Sequence, residues 1–187
     1  MDKKYFADFS AKKIALAGIF TALSFALTFL EFPLFPAAPF LKLDFSFAAL
    51  FLGAYILGPL YAEIIIAATY ALHIPFGSTG GIGELANFIV ANCFIVVPSL
   101  VYLFKKGLPA VIASMVCGSV LAVFAALLAN RFLLFPLYMG GGAAAQFKKY
   151  FWILVAFNSI KCAVNGLITV LLYKRLKRAL FNLFKVK

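Results

Sequence analysis

Acidic side chains are scarce in this chain: six Asp and Glu among 187 residues, beside seventeen Lys and Arg and a single His. So few carboxylates and imidazoles leave little material for a multi-ligand metal centre or a paired-carboxylate catalyst. The three cysteines, Cys93, Cys117 and Cys162, lie in apolar runs without metal-ligand spacing and read as buried free thiols. No glycine-rich segment is followed by Gly-Lys-Ser/Thr, so no phosphate loop is expected, and no cofactor motif appears. Charged residues make up 12% of the chain, against about 25% in a soluble domain. The basic residues sit at the ends of apolar runs and form no stripe. The net charge of +11 therefore reads as membrane topology, not as a nucleic-acid surface.

What fills the chain instead is hydrophobic: 65% of residues, with a mean hydropathy of +1.06. Residues 1–187 are expected to form one all-α integral membrane domain. Residues 1–13 are polar and the first apolar run is too long for a signal core, so no cleavable leader is expected. Six spans are predicted, at about 14–30, 47–57, 60–72, 84–104, 108–128 and 151–173. An even number places both ends on one side. Lys3, Lys4, Lys12, Lys13, Lys105, Lys106, Lys174, Arg175, Lys177, Arg178, Lys185 and Lys187 fall on that side. Only Lys42, Arg131, Lys148 and Lys149 fall on the other. The positive-inside rule then makes both termini cytoplasmic. It also turns three irregular loops outward, at 31–45, 74–83 and 131–149. The first is apolar, with Pro33, Pro36 and Pro39 forbidding a helix; such a loop reads as a cap folded over something. The second, Gly77-Ser-Thr-Gly-Gly-Ile-Gly83, lets backbone approach a ligand closely.

The last span holds the costliest residue. Asn158, Lys161, Cys162 and Asn165 recur at helical spacing and share one face. A lysine ten residues inside a span lies about 15 Å from its end. Placing its charge there costs about 3 kcal/mol on insertion scales. Polar groups gather at the same ends of the spans: Asp44, Glu84, Asn87, Asn130, Asn158 and Lys161. Under two apolar loops and a glycine loop they describe a lidded pocket for a flat, largely uncharged molecule carrying carbonyls or hydroxyls. The plainer reading is a structural ion pair of Lys161 with Asp44 or Glu84. Asp44 also suits a helix N-cap, and His73 reads as an interfacial residue. Ser78 beside His73 could hint at a hydrolase, but no further motif supports it. Gly18, Ala22 and Ala26 form a small-residue stripe on the first span, fit for close helix packing or for a docking partner. No internal repeat supports a carrier of two rocking halves.

Several segments together resemble the substrate-binding S components of energy-coupling factor (ECF) vitamin transporters, most closely the riboflavin-specific ones. These are Leu41-Lys-Leu43-Asp44-Phe-Ser46, Gly83-Glu84-Leu-Ala-Asn87-Phe, Asn130-Arg-Phe-Leu-Leu-Phe-Pro136-Leu-Tyr138 and Phe157-Asn158-Ser-Ile-Lys161. The resemblance covers nearly the whole chain. It implies a non-enzymatic membrane component in a prokaryotic cell membrane that captures riboflavin from outside. It further implies work with a transmembrane coupling protein (EcfT) and two ABC ATPases, which use the ATP. The chain itself would hold no cofactor, riboflavin being its cargo. Matched ligand positions are Asn87, Asn130, Asn158 and Lys161, with Leu41, Leu43, Asp44 and Glu84 around the lid and pocket. Gly18, Ala22 and Ala26 match the coupling-protein contact. Lys148 and Lys149 near the mouth would accommodate a phosphate, which makes flavin mononucleotide (FMN) a second candidate ligand. An S component for thiamine, biotin or a folate, or a stand-alone carrier, is the alternative on the same residues.

Overall fold

The computed structural model describes residues 10–105 and 107–184. Helix α1, Ala11–Thr28, begins at Ser10, whose hydroxyl accepts from the Lys13 backbone N–H. The prolines then end helical structure. Two-residue strands β1 (Phe32–Pro33) and β2 (Lys42–Leu43) pair antiparallel, Phe32 opposite Leu43, and make a small hairpin of the first loop. Helix α2, Ser46–Leu57, follows at once. Gly58 turns the chain at φ +95, a conformation L side chains rarely adopt, and Pro59 opens α3, Pro59–His73.

Two long rods come next, and each holds a π turn ahead of a proline. Helix α4, Ile82–Ala91, passes through a π turn at Asn92–Val96 into α5, Val97–Phe104. Helix α6, Leu108–Ala129, passes through one at Asn130–Leu134 into α7, Phe135–Met139. Pro98 and Pro136 cannot donate to the preceding turn, and their rings crowd the carbonyl four residues back. A widened turn there lets the helix continue without that bond. Gly140 at φ +56 breaks the second rod, a 3₁₀ turn covers Gly140–Gly142, and α8 runs from Ala143 to Phe184.

The helical class expected from the sequence is met, and among the described residues the helices form six rods. Four are long and apolar enough to cross a membrane: Ala11–Thr28, Ile82–Phe104, Leu108–Tyr138 and Gly140–Tyr173. Helices α2 and α3, with 12 and 15 residues, reach only about 18 and 22 Å, short of a ~30 Å hydrocarbon core. Helix α2 compensates by lying at the centre: Phe47, Leu50 and Phe51 are fully buried, and it packs on α1, α3 and α8. Phe51 meets Phe94 edge-on at 4.7 Å. Gly118 of α6 admits that π turn, since a Cβ there would come within 2.7 Å of Pro98. At the opposite end from the β1–β2 hairpin, the Tyr102 and Tyr173 hydroxyls share a 2.6 Å hydrogen bond beside Tyr55.

One expectation is overturned. The third irregular loop, 131–149, is helical on both sides of the Gly140–Gly142 turn. The run Phe132-Leu-Leu-Phe-Pro-Leu-Tyr-Met139 has no helix breaker other than Pro136, and the π turn absorbs that one. The small sheet in the first loop was also unforeseen. Lys3, Lys4, Lys106, Lys185 and Lys187, which carry much of the orientation argument, lie outside the described residues.

Candidate functional site

A pocket opens where α4, the α6–α7 junction and the first half of α8 meet under the β1–β2 hairpin and the loop after α3. Leu41, Val90, Leu134, Phe135, Tyr138 and Phe157 supply its apolar wall. Glu84, Asn87, Asn130 and Asn158 supply amides and a carboxylate. Glu31, Lys42, Ser78 and Thr79 ring it on the loop side. The hairpin is seated by its own cluster: Ala38, Leu41 and Leu43 are buried against Phe135, Leu154 and Phe157. Phe40 contacts Phe135 and Tyr150 edge-on at 6.1 and 5.4 Å.

Each amide is held by an identified partner. Asn130 Nδ2 donates to the Ala126 carbonyl at 2.8 Å, one helical turn back. Asn158 Nδ2 donates to the Leu154 carbonyl at 2.9 Å in the same way. Asn87 Oδ1 accepts from Lys161 Nζ at 2.8 Å. Lys161 is 1% exposed, and its ammonium also donates to Asp44 Oδ2 at 2.6 Å. The Phe47 ring lies 4.7 Å from Nζ, close enough for a cation–π contact. Of the two partners the sequence offered Lys161, the fold chooses Asp44. Asp44 in turn accepts from the Ser46 backbone N–H at 2.9 Å and from the Ser46 hydroxyl at the start of α2. Asn165 closes the joint: its Nδ2 donates to the Asp44 and Lys161 carbonyls, and its Oδ1 accepts from the Ala48 N–H.

The expected residues thus fall into two layers. Leu41, Glu84, Asn87, Asn130 and Asn158 line the pocket. Asp44, Leu43 and Lys161 lie behind its wall, where they fasten the lid's base to α8. Gly18, Ala22 and Ala26 are exposed on one side of α1, clear of the pocket. Cys162 is buried, Cys93 half-buried and Cys117 exposed, so the expectation of buried thiols fails at Cys117, which faces out from α6. His73 closes α3 beside this pocket. It is buried: its Nδ1 lies 2.9 Å from Glu84 Oε1, and Phe25 and Phe29 of α1 pack on its ring. Thr79 also donates to Glu84, at 3.2 Å. Ser78 accepts from Lys42 Nζ at 3.3 Å, and Lys42 pairs with Glu31 at 2.5 Å. His73 and Ser78 are therefore engaged elsewhere and form no hydrolase pair.

Sequence reasoning missed the Glu84–His73–Thr79 cluster and the Lys42–Glu31 pair. Scarcity was the available signal. In a chain with one histidine and six acids, an acid buried at a helix start needs a donor. His73 borders the loop after α3 and Thr79 lies within it.

Comparison with known proteins gives a consistent picture. Residues 12–173 match a protein family described as "ECF transporter, substrate-specific component". The chain is 26% identical over 170 residues to the riboflavin transporter RibU of Staphylococcus aureus (strain TCH60), covering 88% of this chain and 90% of that protein. It is 30% identical over 185 residues to the riboflavin transporter RibU of Streptococcus thermophilus, covering 93% and 87%. It is 32% identical over 133 residues to the riboflavin transporter FmnP of Bacillus subtilis, covering 68% of each. A solved structure described as the S component of a bacterial ECF transporter superposes with a TM-score of 0.78 at 27% identity. That match covers 90% of this chain and 97% of the other.

Proposed function

The chain belongs to the family of ECF transporter substrate-specific components, and on that premise we propose that it captures riboflavin at the outer face of a prokaryotic cell membrane. The pocket carries the proposal. Its aromatic and aliphatic wall suits the flat, methylated ring system. Its three amides suit ring carbonyls and chain hydroxyls, since an amide both donates and accepts. The hairpin held over it suits a lid that excludes water from a bound ligand.

The chain is the capture element of a larger machine. The exposed Gly18/Ala22/Ala26 side of α1 lets another helix approach closely in lipid. We read it as the docking face for a transmembrane coupling protein, which with two ABC ATPases would supply the work of transport. Both termini would lie in the cytoplasm with the lid outside, as the distribution of Lys and Arg favours.

Equilibrium titration of the detergent-purified chain tests the assignment. Riboflavin fluorescence should be quenched saturably, and thiamine or biotin in excess should not compete. Saturable thiamine or biotin binding with no flavin response would reassign the chain to another vitamin.

A further inference from the structure

We propose that Asn87 is the pocket's dedicated hydrogen-bond donor, aimed at a ring carbonyl of the ligand, and that Lys161 is the positioning residue that fixes it so. This rests on the flavin reading above and says how that ligand is recognised.

An asparagine amide can turn either face to a ligand unless a partner decides for it. The partner of Asn87 is an ammonium, which donates and never accepts. Oδ1 must therefore face Lys161, as the 2.8 Å contact shows. What remains for the pocket is Nδ2, which has no protein partner among the described residues. The other two amides are fixed in the opposite sense. Asn130 and Asn158 each spend an N–H on a backbone carbonyl, which can only accept, so Nδ2 must face it. Their Oδ1 atoms are left without a protein partner among the described residues. The wall thus offers donor groups alone at Asn87, and at Asn130 and Asn158 an acceptor beside a second N–H.

Lys161 itself has little left to give a ligand. Its three N–H groups face Asp44 at 2.6 Å, Asn87 at 2.8 Å and the Phe47 ring at 4.7 Å. A hydroxyl of the ligand could adapt to either face of Asn87, because it both donates and accepts. A carbonyl could not, so the locked donor discriminates for an acceptor-only group. In riboflavin those groups are the two ring carbonyls and the bare ring nitrogens N1 and N5, and of these the carbonyl oxygens project from the ring edge.

The test uses the full chain in detergent, with riboflavin and its 2-thio and 4-thio forms, in which sulfur, a weak acceptor, replaces one carbonyl oxygen. The wild type should bind one thio form at least about tenfold more weakly than riboflavin. Asn87→Ala should bind all three alike. Asn87→Asp keeps an oxygen for Lys161, and so the fold, but has no donor; it should bind riboflavin about a hundredfold more weakly. Lys161→Met should lose the discrimination against sulfur, as Asn87→Ala does. Asn87→Asp binding within threefold of wild type, or sulfur discrimination surviving in Asn87→Ala, overturns the assignment while leaving the flavin reading intact. A wild type that ignores every flavin overturns both.

Discussion

Lys161 and Asp44 stand 117 positions apart in the chain, yet their charged groups meet at 2.6 Å with side chains only 1% and 4% exposed. The pair joins the middle of α8 to the residue that follows the β1–β2 hairpin. The charge that looked hardest to place in a membrane is thus the rivet between the pocket's floor and its cover.

Breaking one side of that rivet should be costly. Lys161→Met leaves a buried carboxylate alone, and Asp44→Asn leaves a buried ammonium alone. Loss of one partner from a buried pair typically costs about 3–5 kcal/mol. Each single variant should melt well below wild type in detergent. The double variant Asp44→Asn/Lys161→Met should recover part of the loss, because no uncompensated charge remains. Circular dichroism melts of the four proteins read this directly. Additive losses in the double variant would mean that the two groups do not act as a pair.

Asn130→Ala and Asn158→Ala should act on binding and spare the fold. Each removes one side-chain bond to its own helix backbone, and alanine is the best helix former. Each also removes a ligand acceptor, which should weaken riboflavin by about 1–3 kcal/mol, or roughly five- to 150-fold. Titration beside a thermal melt separates the two effects. Unchanged affinity in both variants would take these amides off the binding wall.

Ala22→Leu should block assembly without touching capture. Ala22 is exposed on α1 and lines no part of the pocket. A branched side chain there would hold a partner helix away. The purified variant should bind riboflavin as the wild type does, yet fail to co-purify with the coupling protein and ATPases. Normal complex formation would move the docking face elsewhere.

FMN should bind more weakly than riboflavin, by about tenfold or more. The pocket carries Glu31 and Glu84, and among the described residues the one Lys or Arg on its lining, Lys42, is already paired with Glu31. Lys148 and Lys149, which the sequence placed at the mouth, are exposed in the first turns of α8 and off the lining. A phosphate ester would meet carboxylates before free cations. Competition between the two flavins in one titration settles the order.

Much of this was legible in residue order. Periodicity put Asn158, Lys161, Cys162 and Asn165 on one face of α8, and all four are buried. That face could be read because it depends only on helix geometry. Which acid Lys161 meets could not be read, because Asp44 and Glu84 were both at hand and only the packing of α2 against α8 decides. The pocket's amides were likewise readable as types but not as donors or acceptors, since their polarity is set by partners in three dimensions. The expectation of a third loop failed for a local reason. Pro136 looks like a helix breaker, and sequence alone does not show that a π turn will absorb it.

The absorption spectrum of the protein, purified in detergent from cells grown with riboflavin, tests the central claim most directly. The account predicts a yellow protein with a flavin band, close to one flavin per chain, that Asn158→Ala loses on washing. A colourless wild-type preparation that stays colourless after incubation with riboflavin and removal of the excess would contradict it.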